Sequence, residues 1–180
     1  MLKPAAVMVI ALVLVSCSAA VPTDRGSVPS SAAAESISPR EGSAMSEFAI
    51  SMWRGACFGR CPQYKLTVDG GGGVEFVGER AVNALGAHSG KADMAAVATL
   101  RSKASEVFST LTDVVPGAAS CKHYATDHPQ ITLELRTVDS VRTLRHYTGC
   151  ASAPTELVEL EKLIDRTANV GEWVSGRASQ

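Results

Sequence analysis

The chain has 180 residues, with 17 Lys+Arg against 18 Asp+Glu and a formal net charge of -1. That length suits one domain with a tail, and the balanced charge speaks against nucleic acid as a partner, which needs a basic surface to neutralise phosphates. Hydrophobic residues make up 46%, enough for a core, although part of that share lies in an N-terminal segment that does not belong to the fold.

Lys3 supplies a positive start, and Ala5 to Val15 is an apolar run of signal-peptide length. It is too short to span a bilayer, which takes ~20 residues. Leu14-Val15-Ser16-Cys17 comes directly after it and resembles the lipobox of bacterial lipoprotein signal peptides. The resemblance implies cleavage after residue 16 and lipidation of Cys17. Two or more acyl chains make a stable anchor, so the expected partner here is the membrane, through lipid and without a transmembrane helix. In Gram-negative lipoproteins an Asp after the lipidated Cys favours the inner membrane. Ser18 stands there instead, so the expected address is the outer membrane, facing the periplasm.

Residues 17–46 hold the lipidated Cys and a Ser/Ala/Pro-rich stretch without apolar period, which reads as a disordered tether. About 30 such residues reach ~30 Å. From residue 47 the pattern changes. Phe48, Ile50 and Met52 alternate with Ala49, Ser51 and Trp53, and Tyr64, Leu66 and Val68 with Lys65, Thr67 and Asp69. Period two is the mark of a half-buried strand. Gly70 to Gly73 makes a turn, and Val74-Glu75-Phe76 returns. Pairing Leu66 with Phe76 and Val68 with Val74 places the apolar side chains on one face, and a slip of one residue would expose one set.

Asp93 is placed to cap a helix, and Val97, Leu100, Ala104, Val107, Phe108 and Leu111 keep helical spacing, which predicts a helix near 94–112. Ile131, Leu133 and Leu135 alternate again. A turn at Asp139-Ser140 leads to Val141 through Tyr147, with Leu135 expected opposite Leu144. Pro154 opens a second helix near 155–168, whose stripe is Leu157, Leu160, Ile164 and Ala168, with Trp173 and Val174 docking the end. The order is strand, hairpin, helix, hairpin, helix. It predicts an α+β domain over 47–175: an antiparallel sheet of about five strands with two helices on one face, and a tail at 176–180.

With Cys17 lipidated, four of the five cysteines remain. An even number in an exported domain suggests disulfides. Cys57 and Cys61 share a turn containing Gly and Pro, and the second hairpin brings Cys150 towards the loop that leaves Cys121. The expected pairs are Cys57–Cys61 and Cys121–Cys150. The other reading of the same residues is a redox or metal centre.

Cys57-Phe58-Gly59-Arg60-Cys61-Pro62-Gln63-Tyr64 resembles the C-F-G-x-C-P-x-Y opening of the bacterial domain of unknown function numbered 6438. Thr126-Asp127-His128-Pro129 after a Cys, His146-Tyr147-Thr148-Gly149-Cys150 and a terminal helix with Trp173 agree with it in order. The resemblance spans about Phe48 to Val174. It implies an exported bacterial protein, often a lipoprotein, and carries no assigned activity.

Cys57-x-x-x-Cys61-Pro62 is also similar to the copper-binding motif of Sco-type chaperones, where two thiolates hold Cu(I), a soft ion. A thioredoxin-like site would need a helix to start at the motif, because its dipole lowers the thiol pKa; here Tyr64 to Asp69 reads as a strand. Cys121, His123, His128 and Cys150 match no familiar zinc spacing, and neither a metal nor a cofactor is expected. Arg54 and Arg60 flank Cys57 and are candidate partners of an acidic ligand, with Tyr64 beside them. Asp127 is a candidate binding carboxylate, against the blander reading of an Asx-turn. The four glycines are not a phosphate loop, since no Gly-Lys-Ser/Thr comes after them. The expectation is a non-enzymatic binding or structural module whose partner is an envelope protein or small ligand. The rival is a thiol redox or copper-handling protein using Cys57 and Cys61. The element that begins after Cys61, strand or helix, separates the two.

Overall fold

The computed structural model describes residues 48–176. The signal segment, Cys17 and the tether lie outside the described residues, as do residues 177–180. Six strands form one antiparallel sheet: β1 Phe48–Arg54, β2 Gln63–Asp69, β3 Gly73–Arg80, β4 Gly86–Lys91, β5 Gln130–Thr137 and β6 Val141–Tyr147, in the order β4-β3-β2-β1-β5-β6. Among the described residues three helices accompany them: α1 Met94–Thr110, α2 Thr155–Thr167 and the short α3 Gly171–Ser175. Among the described residues no helix is long and apolar enough to cross a membrane.

Period-two alternation decides which face is covered. Ile50, Met52, Leu66, Val68, Phe76, Leu133 and Leu144 are fully buried or nearly so, and they join the inward faces of α1 (Leu100, Ala104, Val107) and α2 (Leu157, Leu160, Ile164) in one cluster. The opposite face of the sheet carries Ser51, Lys65, Thr67, Glu75 and Glu134, which suits a surface open to water. The first hairpin has the expected register, Leu66 opposite Phe76 and Val68 opposite Val74. Asp93 caps α1, its carboxylate accepting from the Ala95 and Ala96 amides at 3.0 Å.

Three expectations need correction. The sheet has six strands rather than about five. Gly86-Ala87-His88-Ser89-Gly90-Lys91 has no apolar alternation to reveal it, and it is held by pairing with β3 and by Trp173, whose ring fills the space a side chain at Gly90 would need. In the second hairpin Leu144 stands opposite Leu133, not Leu135, which faces Arg142. The shift is two residues, so both sets stay on the buried face. Helix α1 ends at Thr110, because Leu111 is already extended.

The two ends of the sheet differ. Phe48, where the preceding chain joins, lies at one pole with the turns 70–72 and 138–140. The segments 55–62, 81–85, 121–129 and 148–154 gather at the other.

Candidate functional site

The loop pole is built from segments that cross-stitch. Gly55 donates its amide to the Gln130 carbonyl at 2.9 Å, and Phe58 donates to the Asp127 carbonyl at 3.1 Å. Ala125 donates to Gly149 at 2.9 Å, Ala151 to His123 at 3.0 Å and Thr148 to Pro129 at 3.1 Å. Gly149 is required here: a Cβ at this position would run into the Ala125 carbonyl oxygen. Both disulfides belong to this pole. Cys57–Cys61 closes the β1–β2 loop on itself and is half-buried. Cys121–Cys150 ties the segment before β5 to the end of β6 and is buried. Bonded to each other, Cys121 and Cys150 have no thiolates to offer a metal with His123 and His128.

The element after Cys61 is a strand. β2 begins at Gln63, so the motif does not open a helix whose dipole would lower a thiol pKa.

Beneath the loops, one row across the inner face runs Tyr64, Arg54, Ile131, His146, as the strand registers require. Helix α2 lies over it with acids at positions 161 and 165, one turn apart. Arg54 donates from Nε to Tyr64 Oη at 2.7 Å and from Nη2 to Asp165 Oδ2 at 2.7 Å, while Tyr64 Oη donates to Asp165 Oδ1 at 2.8 Å. Each member touches the other two. Burial, then the Asp165 carboxylate, push the Tyr64 phenol well above its ordinary value, only partly opposed by Arg54. Burial acts against the Arg54 charge too, but Asp165, Tyr64 and Glu161 outweigh it and hold the guanidinium above its usual value. Further along the row, His146 Nδ1 lies 2.7 Å from Glu161 Oε1, both buried, and His146 Nε2 has no hydrogen-bond partner among the described residues.

The structure therefore brings Arg54 and Tyr64 together, with Asp165 of their own chain as the shared acid. Arg60 stands apart, exposed on the stapled loop, with no ion pair among the described residues. Asp127 is exposed with a left-handed backbone, φ 68°. Its carboxylate takes the Thr126 hydroxyl at 3.3 Å. An Asx-turn would need an amide two residues on, and Pro129 has none. Asp165, Glu161 and His146 are not among the candidates that the sequence suggests. The signal for them is the pair of acids at i, i+4 beside the apolar stripe of α2, on the edge of its buried face.

A family model described as a domain of unknown function, DUF6438, matches residues 48–168. The chain belongs to this family. The matched span takes in β1 to the end of α2, and with it the Cys57–Cys61 loop, the Arg54–Tyr64–Asp165 network and the Cys121–Cys150 bridge. None of the curated proteins matches the chain. In the DUF6438 domain the Tyr64 of the opening motif is core, while its Phe58 is 88% exposed.

Proposed function

We propose that the DUF6438 domain of this chain is a disulfide-stabilised, non-enzymatic binding or structural module of the bacterial envelope. It is held by lipid on Cys17 at the outer membrane and faces the periplasm. The observation that carries the reading is the strand that begins after Cys61 while both cysteine pairs are closed. A thiol used for exchange or for Cu(I) needs to be free and activated. Here Cys57 and Cys61 instead close a loop leading directly into β2, whose Tyr64 is locked to Arg54 and Asp165. An exported address suits such bridges, since an oxidising compartment preserves them.

The test is peptide mapping of the protein isolated from the envelope under non-reducing, thiol-blocked conditions, with metal analysis of the same sample. The expected result is Cys57 linked to Cys61 and Cys121 linked to Cys150, without copper. Free thiols at Cys57 and Cys61 with stoichiometric copper would replace the module by a copper-handling or redox protein.

A further inference from the structure

We infer that this domain pairs with a second copy of itself through strand β4, edge to edge, so that two six-stranded sheets join into one antiparallel sheet about a two-fold axis at Ser89. The inference goes beyond the module reading and does not depend on how the cysteines are used.

The two edges of the sheet differ. At β6 the chain closes much of its own edge. Val114 donates to the Arg145 carbonyl at 2.8 Å and accepts from the Tyr147 amide at 2.8 Å, while Asp113 Oδ1 takes the Arg145 amide at 2.9 Å. Strand β4 has no such cover among the described residues. The phase of its hydrogen bonds follows from the Ala92 amide, which donates to the Gly72 carbonyl at 2.9 Å. Antiparallel pairs alternate between bonded and non-bonded. In the register Val74–Gly90, Glu75–Ser89, Phe76–His88 and Val77–Ala87, the amides and carbonyls of His88 and Gly90 therefore turn to β3. Those of Ala87, Ser89 and Lys91 turn outward. The strand contains no proline and its register with β3 has no bulge, two of the devices that stop an edge from pairing. It is also braced from behind. The Asn83 and Ala84 amides donate to the Val174 and Trp173 carbonyls at 3.1 and 2.8 Å, and the Trp173 ring packs over Gly90. Little order remains to be imposed when a strand is added.

The side chains single out β4 itself as the incoming strand. Antiparallel pairing centred on Ser89 sets Ser89 opposite Ser89 of the second copy, and Ala87 opposite Lys91 of the second copy on both sides of the axis. All the outward backbone groups of the strand are then used, with two bonds for each pair, about six in all. On the outer face Ala87 and Ser89 are small, and with Glu75 and the 40% exposed Val77 they line an open trough of about 390 Å³. Lys91 of the second copy, standing opposite Ala87, lays its aliphatic stem across Ala87 and Val77 and carries its ammonium towards Glu75 and Glu79. Neither Lys91 nor Glu75 has an ion-pair partner among the described residues. Any extended segment could take the main-chain bonds. The match of lysine to glutamate at both ends of one six-residue strand belongs to a second copy.

The experiment follows the full-length protein, purified in detergent, by sedimentation equilibrium from roughly 1 μM to 1 mM. The protein should pass from monomer to dimer with concentration. Ser89→Pro should abolish the dimer and leave the melting temperature unchanged, because an edge strand accepts proline where its amide faces outward. Thr143→Pro, at an outward amide of β6, should leave the dimer intact. Lys91→Glu should weaken the dimer about fivefold or more, and Glu75→Lys in the same chain should restore it. Under oxidation Ser89→Cys should give a disulfide-linked dimer, since a bonded pair holds its Cα atoms ~5.5 Å apart, and Thr143→Cys should give none. A monomer throughout the range, a dimer that survives Ser89→Pro, an unchanged dimer in Lys91→Glu, or equal crosslinking from position 143 would each overturn the inference, as would an unrelated peptide found along β4 of a monomer. Should Ser89→Pro fail to fold, the charge exchange and the crosslinks decide. The disulfide map is untouched by any of these results, so the two readings fail separately.

Discussion

Removing the Cys121–Cys150 bridge should cost far more than removing Cys57–Cys61, and the loop lengths say by how much. The bridge spans a sequence separation of 29, the shorter one only 4. In the chain-entropy model the longer loop is worth about 3.6 kcal/mol at 25 °C and the shorter about 2 kcal/mol. Cys121 and Cys150 are 1% and 6% exposed, so Cys121→Ala with Cys150→Ala is the cleaner perturbation: serine hydroxyls there would be buried without assured partners. The bridge also fastens the segment before β5 to the end of β6, where Tyr124 pairs with Cys150. Its loss therefore loosens the pole as well as the unfolded chain. A domain of this size should lose about 3–4 kcal/mol and roughly 10–15 °C in melting temperature. The assay is urea unfolding of the purified domain, two-state by coincident fluorescence and circular dichroism, with the other disulfide intact in each variant. A loss under ~1 kcal/mol, or a larger loss from the Cys57/Cys61 pair, would refute the loop-closure reasoning.

Asp165→Asn should destabilise by about 1–2 kcal/mol, a buried-pair value reduced because the Arg54 and Asp165 side chains are each 24% exposed, and a double-mutant cycle with Tyr64→Phe should show coupling above ~0.5 kcal/mol. Because the folded Tyr64 phenol is raised by burial and by Asp165, its contribution is complete below the unfolded value of about 10 and is lost as pH rises beyond it. Phenolate absorbance should show a late-titrating tyrosine that Tyr64→Phe removes. Asp113 shows the opposite sign. Partial burial works against its charge, but the Arg145 side chain and amide outweigh that and hold the carboxyl below its usual range, so its contribution is present above the unfolded value and fades as pH falls through the folded one. Asp113→Asn should flatten stability between neutral and acid pH, measured by urea midpoints. Cys17→Ser should abolish lipidation and leave the precursor differently processed, read by fatty-acid labelling; a variant still acylated and membrane-bound would exclude the lipobox reading.

Much of the fold is written in local periodicity. Alternation in Phe48–Trp53, Tyr64–Asp69 and Ile131–Arg136 specifies strands and their buried face, because side chains of a strand alternate sides whatever its neighbours are. The 3.6-residue stripes of α1 and α2 and the Asp93 cap are local in the same sense, as is the tight turn that lets Cys57 reach Cys61. The Cys121–Cys150 pairing is legible one step further out, since a hairpin fixes which ends meet, and an error of two residues in its register leaves the pairing intact.

Other features exist only in three dimensions. Strand β4 has no pattern of its own, and its six residues are strand because β3 offers a ladder, with the Trp173 ring packed closely over Gly90. That Phe58 stands in water while Tyr64 is buried could not be read from two aromatics of one motif. The difference lies in one being on a loop tip and the other on the covered face of β2. The partners of Arg54 and His146 were equally hidden, since Asp165 lies 111 residues from Arg54 and only the rotation of α2 above the sheet brings Glu161 and Asp165 over that row. Sequence spacing determines which side chains share a face. Which face meets which is decided by how the sheet and helices close over one core, and the site of this domain depends on that closure.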